Sequence, residues 1–307
     1  MDASANDSRG NGGNGSGPPQ SEHLQRLRAS LRDMGSVLVC YSGGIDSALV
    51  LAVAHEVLGE RAIGMTAVSP SLAPFEKDAA SSVAKQIGAR HEMVESHEID
   101  DPSYVANATD RCFHCKSELY RLSTLKQKEW GLAFSVNGTN LDDLGDYRPG
   151  LEAAKLAEVR SPLVECGFRK DDVRSAAALV GLSIWDKPAS ACLSSRIPYG
   201  TSVTRERLAQ IGGLEAELHA LGLRQVRVRW HSLGDGGVSG VTSGAIARVE
   251  VAKDEMLAAF DVRDAIVLAG KRYGFKYVTI DLQGYRTGSH NEVLSSLDDG
   301  RRSLRIL

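Results

Sequence analysis

Residues 37 to 47 read Val-Leu-Val-Cys-Tyr-Ser-Gly-Gly-Ile-Asp-Ser, and the run that follows, Ala-Leu-Val-Leu-Ala-Val-Ala, is apolar and helix-forming. A buried strand, a glycine turn and a helix start therefore follow one another without a break. At such a junction free backbone N–H groups and the positive helix end converge on one point, and Gly43 and Gly44 leave room for a phosphate chain. Ser42 and Ser47 add hydroxyl donors. The pattern is not Walker A, since no Gly-Lys-Ser/Thr follows, and it is not the dinucleotide fingerprint, since the third glycine is missing.

The 307 residues suffice for two domains or one large one. With 36 basic and 39 acidic side chains the net charge is -3, which gives no bulk attraction to nucleic acid. No apolar run is long enough for a membrane span, and the N-terminus lacks the basic-then-apolar order of a secretory signal. A cytoplasmic protein is expected, with Cys40, Cys112, Cys115, Cys166 and Cys192 reduced.

Residues 1–21, rich in Asn, Gly, Ser and Pro, are expected to form a disordered tail. Beyond them, helix and strand patterns alternate: helix 22–34, strand 37–41, strand 62–68, helix 75–87, strand 91–94, helix 116–130 and strand 134–136. Alternation of this kind predicts an α/β fold with a doubly wound parallel sheet, its ligands beyond the carboxyl ends of the strands. Residues 170–180 read as a helix and Ser183 to Ile184 as the start of a short strand. A smaller C-terminal α/β unit is expected over 201–307, after a first domain spanning 22–200. Thr204 is a plausible cap for a helix over 205–221, followed by strands 225–230 and 245–251, helices at about 252–273 and a strand 277–282.

Asp46, in the first helical turn, is placed to reach a Mg²⁺ bridging nucleotide oxygens, or to cap the helix. Val136-Asn137-Gly138-Thr139-Asn140-Leu141-Asp142-Asp143 is a second strand-to-loop junction, expected on the same sheet edge. With Asp146 and Arg148, the pair Asp142 and Asp143 either organises metal and phosphate or is a set of solvated loop charges. Thr66, in the second strand, and Gly138 and Asp142 join Ser42, Gly43, Gly44, Asp46 and Ser47 as candidate ATP-binding residues.

Arg111-Cys112-Phe113-His114-Cys115 holds a Cys-x-x-Cys, and no second one exists. A redox pair fits the spacing but belongs to a different topology. Cys192, in a loop of small residues ending at Arg196, is the remaining candidate partner. Three thiolates with one open position suit a 4Fe-4S cluster better than zinc. Cys40 reads as a core residue and Cys166 as a loop or surface thiol.

Ser42 to Ser47 resembles the PP-loop of ATP pyrophosphatases, which cleave ATP between the α and β phosphates. With the cysteines, Gly138 to Gly150, Lys187 to Gly200 and Asp281 to Ser289, residues 22 to 295 resemble the LarE family of ATP-dependent sulfur transferases. The resemblance implies an adenine nucleotide alpha hydrolase-like fold and a homo-oligomer. It also implies adenylation of a carboxylate of pyridinium-3,5-biscarboxylic acid mononucleotide, followed by sulfur transfer to a thiocarboxylate in nickel-pincer cofactor biosynthesis. Catalysis falls to Cys192, Cys112, Cys115 and Asp46, and the cysteine set places the chain with members that carry a cluster. Sacrifice of the Cys192 sulfur remains the other route. Arg196, Arg248 and Glu250 match the family's phosphate and metal neighbourhood, whereas the loop 232–244 is longer than usual and leaves His231 and Asp235 without a transferable role. Competing readings are a tRNA thiolase, an amidating ligase of the NAD synthetase type and a nucleotide sensor; no basic run supports the first, and the cysteines are unexplained by the second.

Overall fold

A computed structural model describes residues 20–145, 149–187, 191–234 and 244–286. The expected tail, Asp146 and Arg148, most of the long loop with Asp235, and the end of the 281–289 motif lie outside the described residues.

The chain runs α1 (Gln20–Met34), β1 (Val37–Cys40), α2 (Ile45–Leu58), β2 (Ala62–Val68), α3 (Pro74–Ile87), β3 (Arg90–Glu95), α4 (Pro102–Val105), α5 (Arg111–Glu129) and β4 (Phe134–Val136). After α6 (Pro149–Leu156), α7 (Pro162–Glu165) and α8 (Lys170–Leu179) come α9 (Arg205–Ala220), β5 (Val226–Ser232), β6 (Ala245–Val251), α10 (Met256–Asp261), α11 (Arg263–Arg272) and β7 (Phe275–Ile280). None of the described helices is long and apolar enough to cross a membrane.

The first sheet has the order β3-β2-β1-β4, and every pairing in it is parallel. All four β1 residues are buried, as expected of a central strand covered on both faces. Apolar on nearly every side, α2 is buried along Ala48, Leu49, Val50, Leu51 and Val53. Gly64 permits that packing: a Cβ there would stand 2.9 Å from a Leu51 methyl. The chain moves outward from β1 to β3 and then returns to place β4 on the other side of β1. This reversal opens a crevice beyond the carboxyl ends of β1 and β4.

The second sheet has the order β5-β6-β7, antiparallel then parallel. Its core, centred on Val228, Val249, Leu214 and Ile211, also draws in Ile99, Tyr104, Leu193 and Ile197 from earlier in the chain.

Several boundaries differ from the sequence reading. Ser183 and Ile184 lie in a turn, closed by the Lys187 amide donating to the Ile184 carbonyl, instead of starting a strand. The helices expected over 252–273 are there, separated at Val262. α5 begins at Arg111, five residues early, so the Cys-x-x-Cys is the first helical turn and not a loop before it. Cys166 lies in the turn after α7, as the loop reading had it, but is buried at 5% exposure.

Candidate active site

Two loop junctions meet in the crevice. Gly43 has φ +74, a left-handed conformation, and a Cβ on it would fall 2.8 Å from the Ala80 Cβ of α3, so both backbone and space call for glycine. Gly44 caps α2 without help from a side chain. The Ser42 amide donates to Ser47 Oγ at 3.2 Å, and Ser47 Oγ donates to the Gly44 carbonyl at 3.1 Å, which folds the turn back on the helix start. After β4, Gly138 lies so close to α2 that a Cβ would sit 2.5 Å from the Ser47 nitrogen. Main chain there packs on main chain, and the predicted second junction does share the edge of the first.

Asp46 accepts from Asn140 Nδ2 at 3.0 Å and from Lys170 Nζ at 2.6 Å. One short carboxylate at the mouth of a turn with neutral donors is a hard oxygen ligand of the kind Mg²⁺ selects, and Asn140 holds it from the β4 loop. Asp142 is turned to α8, accepting from the Lys170 amide at 2.7 Å and Arg169 Nη1 at 2.8 Å, which hold its carboxyl below the ordinary range. Thr66 is 3% exposed; its hydroxyl donates to the Tyr41 carbonyl at 2.7 Å and pairs with His91, whose pKa burial lowers. It thus braces the strand leading into the turn.

Cys112, Cys115 and Cys192 are free thiols, the first and last exposed. The first two share one helix face by their three-residue spacing. Burial, followed by the nearby Cys192, pushes the Cys115 thiol up to about 12. Arg111 feels Cys192 and Cys112 together: burial disfavours its charge, but these thiols, with Tyr104 and Tyr199, outweigh it and raise its pKa. The three cysteines thus occupy one electrostatic neighbourhood. Among the described residues no three His, Cys, Asp or Glu side chains stand as the ligands of a single metal ion. A cluster spreads its thiolates over separate irons, and the free thiols of α5 and the Cys192 turn are donors of the type it takes.

The Cys192 turn is heavily anchored. Arg196, 4% exposed, grips Glu215 and donates to the Ala191 and Cys192 carbonyls at 2.7 and 3.1 Å. Arg111 donates to the Ser194 carbonyl and Arg229 to that of Ser195, each at 2.9 Å. The Leu193 amide donates to the Ser71 carbonyl, between β2 and α3. The resemblance put Arg196 in the family's phosphate and metal neighbourhood; here its buried charge is met by Glu215 and by the Ala191 and Cys192 carbonyls, as burial demands a partner. Glu250, 1% exposed, takes a two-pronged bond from Arg229. Arg248 bonds Asp281 at 3.0 Å and Glu250 at 3.2 Å, while its buried Nε has no partner.

Sequence reasoning passed over Arg111, Arg229, Lys170 and Lys187. Arg111 lies beside the Cys-x-x-Cys, which was a usable signal. Lys187 heads the Lys187 to Gly200 segment, which was a signal as well, whereas Lys170, at the start of α8, had none.

The asparagine synthase family model matches residues 24–115, which include the turn after β1. An uncharacterized protein of Synechocystis sp. is 43% identical over 89% of this chain and 98% of its own length. The pyridinium-3,5-bisthiocarboxylic acid mononucleotide synthase of Lactiplantibacillus plantarum is 36% identical over 88% of this chain and 94% of its own. A tRNA-specific 2-thiouridylase of Rickettsia felis is 26% identical over 76% of the chain and 73% of its own. With the crevice, its glycine turn and the anchored cysteine turn on one chain, likeness at this level and coverage shows that the protein belongs to the LarE family of ATP-dependent sulfur transferases.

Proposed function

We propose that the chain uses ATP to adenylate a carboxylate of pyridinium-3,5-biscarboxylic acid mononucleotide and then replaces an oxygen of that carboxylate with sulfur. A carboxylate oxygen attacks the α-phosphorus and pyrophosphate leaves; a sulfur nucleophile attacks the acyl carbon and AMP leaves. Activation is needed because a free carboxylate is a poor acyl donor. The observation that carries this reading is the tying of the Cys192 turn to the segment between β2 and α3 by the Leu193 amide, while α3 packs on Gly43. One segment thus touches both the nucleotide turn and the sulfur turn.

The turn of Ser42 to Ser47 binds the β,γ-pyrophosphate, with Gly138 closing its floor and Asp46 holding Mg²⁺. Asp142 orients the start of α8, and Thr66 braces the strand end. Arg196 fixes the Cys192 backbone. Arg248, part-exposed with an unpartnered Nε, is the cation for the acceptor's charged groups, and Glu250 orients it. Cys112, Cys115 and Cys192 would hold a 4Fe-4S cluster, which supplies, when bound, a site for the sulfur to be transferred.

Anaerobic protein given ATP, Mg²⁺ and the pyridinium acceptor tests the reading: AMP and pyrophosphate are expected, and ADP with phosphate would refute it. Iron and sulfide analysis with peptide mass spectrometry separates the sulfur sources. Dehydroalanine at 192 without bound iron would assign the sulfur to Cys192 itself.

A further inference from the structure

The nucleotide turn offers hydroxyl and backbone donors, all neutral, and its one charged side chain, Asp46, is negative. A triphosphate chain keeps net negative charge even with a divalent cation on it, so such sites draw on side-chain cations as well. Two lysines stand at the rim. Lys170, from the start of α8, pairs with Asp46 at 2.6 Å, the side chains 31% and 24% exposed. Lys187, from the turn before Cys192, pairs with Glu76 of α3 at 2.7 Å and also donates to the Gly43 carbonyl at 3.4 Å. Each ammonium is thus held by a carboxylate beside the phosphate cradle, one at Asp46 and the other near Gly43.

We propose that Lys170 and Lys187 are the side-chain cations of the triphosphate site, transferred from Asp46 and Glu76 to phosphate oxygens when nucleotide enters. The proposal rests on the ATP reading above and names the residues that neutralise its ligand. A lysine suits the task because its compact charge rides on a flexible four-carbon stem and can change partners without moving the backbone. The Lys170–Asp46 pair is part-exposed, so its folding role is small and a change of partner is feasible; Glu76 is buried, so the Lys187 pair is the more firmly held of the two. Lys170 has a second consequence. It is paired with the carboxylate that would hold Mg²⁺, so metal and ammonium would compete for Asp46 until phosphate takes the lysine away.

Isothermal titration with Mg²⁺ and the non-cleavable α,β-methylene ATP tests this on the full chain, thermal melting confirming the fold of each variant. Lys170→Met and Lys187→Met are each expected to weaken nucleotide binding about tenfold or more, roughly 1.4 kcal/mol. Lys187→Arg, which keeps the charge, should recover most of the loss. Glu76→Gln should bind nucleotide as tightly as the parent or more so, because the competing carboxylate is gone. A parent protein that binds no nucleotide overturns the ATP reading itself. A parent that binds, with lysine variants within twofold of it, overturns this inference alone. So does Glu76→Gln weakening binding as much as Lys187→Met, which would mark the pair as a structural brace.

Discussion

Arg196 holds Glu215 through two parallel contacts, Nε to Oε1 at 2.9 Å and Nη2 to Oε2 at 3.3 Å, with the side chains 4% and 0% exposed. Glu215 also accepts from the Val228 amide at 2.9 Å, so one carboxylate joins α9, β5 and the Cys192 turn. A charge this deep is tolerable only while both partners are present.

Removing one partner should therefore be costly. Arg196→Met is expected to lower stability by about 3–5 kcal/mol, since it leaves the Glu215 charge buried and unpaired. Arg196→Lys should recover little, because an ammonium cannot span both oxygens and the Ala191 and Cys192 carbonyls together. Urea unfolding of the two variants checks this, and a loss below about 1 kcal/mol for both would remove the pair from the account of how the turn is held.

Gly138→Ala should disrupt the crevice where the two junctions touch. Its Cβ would meet the Ser47 nitrogen at 2.5 Å and the Ser47 Cα at 2.8 Å, atoms that cannot rotate away. A cost of about 1–3 kcal/mol is expected, together with weaker nucleotide binding as the turn is displaced. Parent-like melting and nucleotide titration would show that the backbone yields more easily than the geometry implies.

Asp46→Asn should keep the fold and lose turnover. Asparagine can still accept from Asn140, but it loses the charge expected to hold Mg²⁺. The check is pyrophosphate release against Mg²⁺ concentration, with circular dichroism for the fold; release unchanged at low Mg²⁺ would acquit Asp46.

Cys40 ends β1 at 8% exposure, and burial pushes its thiol up to about 11 against an ordinary 9.0, with Lys116 and Ser123 opposing. A raised folded pKa means that the folded chain keeps a proton the unfolded chain has released. Its contribution is thus fully present below pH 9.0 and is lost as pH rises toward about 11. Unfolding free energy measured from pH 8 upward should fall less steeply in Cys40→Ala than in the parent.

The first sheet was legible because its elements announce themselves locally: β1 as an unbroken apolar run, α2 as the helix after two glycines, Thr204 as a cap whose hydroxyl accepts from the Arg207 amide at 3.2 Å. The junctions at Ser42 and Gly138 were likewise readable, since glycine between a strand and a helix has few other uses. The partners of the charges were not. Sequence gives Arg196 as a basic residue in a loop and says nothing of Glu215, which reaches it from another helix. The start of α5 was also hidden, because the Cys-x-x-Cys spacing suits a turn and a helix face equally.

The bond from the Leu193 amide to the Ser71 carbonyl joins main chain to main chain, so no side-chain exchange at Ser71 can delete it. Only loss of the N–H does so, and proline alone among the ordinary residues lacks it. Position 193 is the first residue of a short 3-10 helix after Cys192, whose φ -63 and ψ 155 are the extended values a residue before proline prefers. Leu193→Pro therefore suits the backbone before it, but its ring Cδ would stand where the N–H now meets the Ser71 carbonyl, so beside Leu193→Ala, which accounts for the lost packing, it both deletes the tether and pushes the two segments apart. The position of the sulfur-bearing turn relative to the nucleotide becomes a quantity that a single atom pair can be made to report.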